Sequence, residues 1–379
     1  MSLDELNMFR AGNDNSFTTE LLRSGIPPLD YCLGGGFAYG KFTEIFGDFA
    51  TGKTVLTHMA LAANQKLGGE SILAETEQSF DKDFFCALGG DAEKLKMLDY
   101  KHTATVEDIF MAVRKICEQI LKDQKDSEIY KRTVIAWDSI ALASTKHLED
   151  TGLDKLDMTK AKVLKAGAQY VTQYLARAKV AFIATNQVYE LINQTTSRGY
   201  TPVTSSGGKG MKFLATHRIE LRFDGGEKGS SIVTKIGDRE IQVGRKILAS
   251  VVKNKIASPW GSCSLPFYTE NGYPHPIYDK ETKIGFDIDE ALFDFYLEGN
   301  YKFLGTQQRV VKQTGGWYCL NPAIETEQKK WRKSEWPQKL EEHPFLRELL
   351  YDEGDSRAIE EPIADSAPEL QSAESTGNV

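Results

Sequence analysis

Residues 47–54 read Gly-Asp-Phe-Ala-Thr-Gly-Lys-Thr, a complete G-x-x-x-x-G-K-[ST] phosphate-binding pattern. Glycines let backbone N–H groups turn toward phosphate oxygens, and a helix starting there adds its positive end. Gly47, Asp48, Phe49, Ala50, Thr51 and Gly52 would form the cradle. Lys53 would reach the β- and γ-phosphates, and the Thr54 hydroxyl would take a place on Mg²⁺. The pattern implies a nucleoside triphosphate. Val134-Ile-Ala-Trp-Asp138 adds a carboxylate at the carboxyl edge of an apolar strand, the edge where ligands bind in open α/β sheets. Asp138 is therefore expected to support Mg²⁺ with Thr54. Glu77, just past a strand ending at Glu75, can polarise the water that attacks a γ-phosphate. Glu75 competes for that role, and a helix cap or a solvated loop acid is the plainer alternative.

These residues need elements to hold them. Lys41 to Phe46 is aromatic and β-branched and reads as a strand, while Leu56, Met59, Ala60 and Ala63 repeat at helical spacing after the loop. Further strands are expected at 71–75, 133–138, 180–186, 217–223 and 245–253, with helices at 105–121 and 158–178. Helices alternating with apolar strands imply an α/β fold, a mostly parallel central sheet covered on both faces. Pro- and Gly-rich breaks near 258–285 precede a smaller unit with its own aromatics, Trp317, Tyr318, Trp331, Trp336 and Phe345. The expected organisation is a lead at 1–22, an ATPase core at 23–285, a small carboxyl-terminal domain at 286–351 and a tail at 352–379.

Composition narrows the function classes. A chain of 379 residues, 41% hydrophobic and 26% charged, can bury a large core without staples. Five cysteines (32, 86, 117, 263 and 319) are scattered without C-x-x-C spacing, which argues against a disulfide framework or zinc site and fits a reducing cytoplasm. Met1 to Arg10 carries two acids and no apolar run, so no signal peptide is expected, and no stretch approaches membrane-spanning length. Net charge is −8, yet residues 352–379 hold eight acids against one base, leaving the body at −1. That tail is expected to be disordered, either as a solubiliser or as a competitor of nucleic acid for basic surface.

Several longer runs carry a resemblance. Gly34 to Gly47, the phosphate loop, Glu75-Thr-Glu77, Asp138-Ser139 and Thr185-Asn-Gln187 occur in the order seen in RecA-type recombinases. So do Ser206-Gly-Gly-Lys-Gly-Met-Lys-Phe213 and Val251-Val-Lys-Asn-Lys-Ile-Ala257, while Gly315-Gly-Trp-Tyr318 resembles the small carboxyl-terminal domain of bacterial members. The likeness covers roughly residues 22–350. The 329–333 run and the short lead are similar to recombinases of T-even-like phages, which implies a phage origin.

The resemblance implies a RecA-like P-loop core and site roles residue by residue. Glu77 matches the water-activating glutamate. Gln187 matches the glutamine that contacts the γ-phosphate and relays nucleotide state to the next loop. Asp81 and Phe84 fall where the family holds adenine. Lys253 and Lys255 match lysines that cross to a neighbouring subunit's γ-phosphate. Arg198, Gly207, Gly208, Lys209 and Gly210 lie in the second DNA loop, whose polar composition suits sequence-independent backbone contact. The first loop, near 147–158, is more acidic than the family's role suggests. Lys329, Lys330, Arg332 and Lys333 around Trp331 can receive duplex DNA or form a solvated helix face. Phe17 resembles a Phe-x-x-Ala assembly anchor with Glu20 replacing alanine, and Phe213 is a second expected assembly residue.

The implied activity is a DNA-dependent ATPase using ATP and Mg²⁺, forming helical filaments on single-stranded DNA and exchanging strands with a homologous duplex. Implied partners are single- and double-stranded DNA, further copies of the chain, and single-strand-binding and mediator proteins, in a host cytoplasm or nucleoid without membrane contact. A ring-forming motor of the same fold and an ATP-binding recombination paralogue without filament activity are the alternatives.

Overall fold

The computed structural model describes residues 19–127, 131–152, 159–190, 203–205, 208–299 and 309–352. The chain runs through β1 (Leu21–Leu22), α1 (Pro27–Leu33), β2 (Phe37–Ala38), β3 (Phe42–Gly47), α2 (Lys53–Lys66) and β4 (Glu70–Glu75). It continues as α3 (Lys82–Ala87), β5 (Leu95–Met97), α4 (Val106–Ser127), β6 (Thr133–Asp138), α5 (Lys146–Thr151), α6 (Lys160–Ala178) and β7 (Val180–Glu190). Next come β8 (Val203–Ser205), α7 (Gly208–Leu214), β9 (His217–Phe223), α8 (Gly226–Gly229) and β10 (Ser231–Ile236). β11 (Arg239–Asn254), β12 (Ser262–Tyr268), β13 (Gly285–Phe286) and α9 (Ile288–Glu298) follow. The hairpin β14 (Val311–Thr314) and β15 (Trp317–Leu320), then α10 (Trp336–Glu342) and α11 (Leu349–Asp352), end the described chain.

Strands β9-β3-β7-β6-β4-β5 run parallel in that order, and β11, β12 and β13 extend the sheet antiparallel beyond β9. Every residue of β6 is buried because both faces are covered, as a central parallel strand requires. Its side chains alternate between two cores. Val134 and Ala136 join α1 and α2 on one face, whereas Ile135 and Trp137 join α4 and α6 on the other. On α4, Val106, Ile109, Phe110, Val113 and Cys117 supply the buried helical stripe.

Among the described residues, the carboxyl-terminal unit does not close a core of its own. Phe293, Trp331 and Trp336 pack into the same cluster as Leu29, Leu33 and Leu56. Trp331 and Trp336 stack at 5.8 Å with Phe293 edge-on to both. At the joint, Lys246 and Lys333 each pair with Asp294, at 2.8 and 2.9 Å. At the other end of the unit, Tyr351 donates to the buried Asp30 carboxyl of α1 at 2.9 Å, and the Arg23 guanidinium lies over the Tyr351 ring.

Candidate functional site

The phosphate loop joins β3 to α2 at the carboxyl edge of the parallel sheet. Gly47 is required by contact, since a Cβ there would stand 2.1 Å from the Leu221 carbonyl of β9. Gly52 is required by conformation, at φ 81°, and it also faces the Phe286 ring. Thr51 Oγ1 donates to the Asp48 carbonyl at 2.8 Å, and Lys53 Nζ donates to the same oxygen at 2.6 Å. Burial pulls the Lys53 pKa down, against the nearby Asp138, Glu77 and Asp48 carboxylates. Phe49, at the loop's crest, is 70% exposed.

Asp138 ends β6 beside this loop. Thr54 Oγ1 donates to its Oδ2 at 2.6 Å, and Thr185 Oγ1 donates to Oδ1. Burial raises the carboxyl pKa, which the two hydroxyl donors and Lys53 oppose. A buried carboxylate touching a helix-start hydroxyl is an all-oxygen donor set that fits a hard divalent cation. Thr54 and Asp138 are the residues that would hold Mg²⁺, which supplies charge neutralisation at the phosphates when bound.

The two competing glutamates have different surroundings. Glu75 accepts from the backbone N–H groups of Glu77, Gln78 and Ser79 at 2.9, 2.7 and 3.2 Å, so it ties the turn together. Glu77 instead takes one donor, the Ser139 hydroxyl, and its carboxylate faces the Lys53 side of the site. The main chain of this wall is fixed by Thr76, whose N–H donates to the Asp138 carbonyl at 2.7 Å and whose hydroxyl bonds both Ser139 backbone groups. Asp81 caps α3 through Phe84 N at 2.6 Å. Phe84 is half-buried and meets the His58 imidazole edge-on, next to Phe80 and Phe85. Burial holds the His58 pKa near 4, so this ring is neutral.

Gln187 pairs in register with Gly47, which sets it at the loop's flank. Beneath it lies a buried network that sequence reasoning missed. Asn186 Nδ2 donates to Glu44 Oε1 at 2.8 Å, Arg218 Nε donates to Glu44 Oε2 at 2.6 Å, and Arg218 reaches Ser205 Oγ at 3.1 Å. Glu44 is fully buried, and an acid inside the aromatic and β-branched Phe42–Gly47 strand was the available signal. The network joins the strand carrying Gln187 to Ser205 of β8 and to β9.

Lys253 and Lys255 sit elsewhere. Lys253 pairs with Arg218 near the start of β9, whereas Gly47 pairs with Leu221 further along the same strand. Their backbone is therefore roughly 10 Å along the strands and about 10 Å across them from the phosphate loop. Both ammonium groups cap α7. Lys253 Nζ donates to the Lys212 and Phe213 carbonyls at 2.5 and 2.8 Å, and Lys255 Nζ donates to Phe213 at 3.0 Å. Burial, with Lys255 and Arg218 adding repulsion, brings the Lys253 pKa down to about 8. Phe213 at the end of α7 is 73% exposed.

The remaining expected residues divide. Gly208 and Gly210 begin α7. Phe17, Arg198 and Gly207 lie outside the described residues, as do the Lys209 side chain and residues 353–379. The 329–333 run is not a helix face: Trp331 is buried and bridges to Tyr318. Lys333 is committed to Asp294 and Glu290, and Arg332 lies over the Trp317 ring at 3.8 Å.

Comparison with known proteins gives a consistent result. The RecA N-terminal domain family matches residues 3–273. A Protein RecA of Rhodopirellula baltica is 28% identical over 309 residues, 81% of this chain and 70% of that protein. A Protein RecA of Bacteroides thetaiotaomicron is 26% identical over 318 residues, covering 83% and 82%. One from Malacoplasma penetrans is 25% identical over 342 residues, 90% of each chain. Among the described residues no helix is long and apolar enough to cross a membrane.

Proposed function

The chain belongs to the RecA family of recombinases, and from that premise we propose that it is a DNA-stimulated ATPase that assembles head to tail on single-stranded DNA and pairs it with a homologous duplex. The observation that carries this reading is the placement of two chemistries on opposite edges of one sheet. The phosphate loop, Thr54, Asp138, Glu77 and Gln187 gather at one edge, and Lys253 and Lys255 gather at the other. A surface that matches a different surface on an identical copy makes a heterologous contact, which grows into an open helix when it does not close. A ring remains the alternative outcome of the same contact.

In this reading Lys53 and the loop N–H groups bind the ATP phosphates, with Mg²⁺ at Thr54 and Asp138. Phe84 packs beside the base, and Asp81 fixes the turn that presents it. The Glu77 carboxylate accepts a proton from water as the water oxygen attacks the γ-phosphorus. The bond from that phosphorus to the bridging oxygen breaks, leaving ADP and phosphate. Lys253 and Lys255 of the next subunit neutralise charge on the transferred group, as arginine fingers do elsewhere. Gln187 senses the γ-phosphate, and the Asn186–Glu44–Arg218–Ser205 network carries its position toward the second loop. Gly208 and Gly210, with Arg198, Gly207 and Lys209, hold the strand's phosphates. Exposed Lys329 and Lys330, with Arg332, receive duplex, while Lys333 serves the joint.

Mixed assembly tests the edge-to-edge reading. Lys253→Ala and Glu77→Gln proteins are each expected to bind ATP and lose DNA-stimulated hydrolysis. Mixed, they form some interfaces with an intact Glu77 under an intact lysine pair, so partial activity returns. Co-assembly without recovery would mean that the lysines serve their own subunit.

A further inference from the structure

Two aromatic side chains stand far out of the surface, one on each of the two edges. Phe49 crowns the phosphate loop at 70% exposure, and Trp260 follows the lysine strand at 81%. Nothing in the subunit's own packing calls for either ring to be solvated. Trp260 is moreover held at φ 72°, a left-handed conformation in which a bulky side chain is strained. Backbone strain of this kind persists only where the surroundings enforce it.

The surroundings do enforce it. Asn254 Oδ1 accepts from Ile256 N and Ala257 N at 2.9 and 3.0 Å, and its Nδ2 donates to the Leu33 carbonyl at 2.9 Å. Trp260 N donates to the Val251 carbonyl at 2.7 Å, and Val251 N donates back to Gly261 at 2.8 Å. Gly261 lies against Cys32 so closely that an added Cβ would stand 3.0 Å from its Cβ. The turn is thus bolted to α1, and the indole is displayed from a rigid base two residues from the Lys253 level. Rigid, exposed aromatics are the residues that dominate protein contacts, because little entropy is lost when they are covered. The flanking charges are of opposite sign: Asp48 precedes Phe49, and Lys253 and Lys255 follow Val251, whose carbonyl accepts from Trp260 N.

We propose that Phe49 of one copy and Trp260 of the next pack together as an apolar clasp that seats the lysine edge of one subunit over the nucleotide edge of its neighbour. The occupant is a second copy of this chain, and the inference rests on the head-to-tail reading above. Because the two rings are on opposite edges, each copy offers both halves and neither half satisfies the other within one subunit.

The test begins with assembly of the full chain on single-stranded DNA with ATP, scored by electron microscopy. In a Cys86→Ser/Cys319→Ser background, Phe49→Cys and Trp260→Cys proteins are mixed, assembled and mildly oxidised. A disulfide-linked dimer is expected from the mixture, none from either protein alone, and a ladder from the double variant. Trp260→Gly suits the left-handed φ, so the melting temperature of the isolated subunit should not fall. Its threshold concentration for assembly should rise about ten-fold or more, the usual effect of losing a central aromatic. With Trp317→Phe, Trp260 is the single well-exposed indole, and its quenching by acrylamide should drop on assembly. Assembly without cross-links, with Trp260 still fully quenched and Trp260→Gly unimpaired, would overturn the clasp and leave the head-to-tail reading standing. Absence of assembly by the parent protein would overturn both.

Discussion

Glu44→Gln is the sharpest probe of the buried network beneath Gln187. Glu44 is fully buried and its Arg218 partner is 11% exposed, with the guanidinium also lying 4.3 Å over the Phe46 ring. The change keeps shape and removes one charge, so an arginine is left inside without its counter-ion. Breaking such a pair costs about 3–5 kcal/mol. The lower end applies here, because glutamine still offers an acceptor and Ser205 remains at 3.1 Å from Arg218. At about 2–4 °C per kcal/mol for a domain of this size, the midpoint should fall by roughly 6–12 °C. Thermal unfolding followed by circular dichroism reads this directly. Adding Arg218→Met removes the orphaned charge and should recover at least half of the loss, whereas independent contacts would give additive losses. The same proteins should lose DNA stimulation of hydrolysis, since the single acceptor oxygen of glutamine no longer holds Asn186 and Arg218 together. A Glu44→Gln midpoint within about 2 °C of the parent would refute the view that the pair is a desolvated, mutually dependent unit.

Glu77→Gln should bind ATP but lose turnover, whereas Glu75→Gln should lose about 1–3 kcal/mol of stability because a three-amide acceptor is weakened. Parent-rate hydrolysis by Glu77→Gln would return the catalytic role to Glu75. Deleting residues 353–379 should strengthen duplex binding at low salt and less at high salt, read by anisotropy across a salt series; salt-independent binding would leave the segment as a solubiliser. Burial lifts the Asp30 pKa to about 7, above its ordinary value of 3.8, against the Ser24 donors, Tyr351 and Arg23. The folded state therefore holds the extra proton between those values, so stability is greatest below about pH 4 from this group and falls, by about 4 kcal/mol at most, as pH rises to 7. Asp30→Asn should flatten that slope in pH-dependent melts; an unchanged slope would assign it to other groups.

Much of the fold was legible in the sequence for a simple reason. Thr133–Asp138, buried on both faces, is an apolar run bounded by sharp breaks, whereas His217–Phe223 alternates apolar with charged residues and buries mainly one face. The structure gives both strands the expected bounds. The strand expected at 245–253 begins instead at Arg239, because a hairpin through Gly237 pairs its polar first half with Ser231–Ile236. Polar residues on an exposed ribbon leave no hydrophobic signature. At the site, spacing along the chain identified the loop and the strand-end acids. Spacing alone could not separate Glu75 from Glu77, which the fold distinguishes by partners: three backbone amides for Glu75, the Ser139 hydroxyl and the neighbourhood of Lys53 for Glu77. Nor could it foresee that Lys333 is neutralised by Asp294, that Lys253 and Lys255 cap α7, or that Glu44, Asn186 and Arg218 meet. Those contacts join residues up to 174 positions apart, and only the folded register brings them together.

In the proposed head-to-tail row, with the lysines of one subunit serving the nucleotide of the next, opposite placement on one sheet leaves two unlike ends. One terminal subunit carries a nucleotide that no lysine pair covers, so its ATP outlives those in the interior. The other presents lysines with nothing beneath them, still holding the carbonyls of their own α7. Hydrolysis then counts junctions rather than molecules, and a short row is slower per subunit than a long one. Age also becomes directional: the uncovered end stays fresh while the interior converts to ADP. A row built this way carries a built-in distinction between the end that grows and the end that is shed, written into which side of one sheet each side chain occupies.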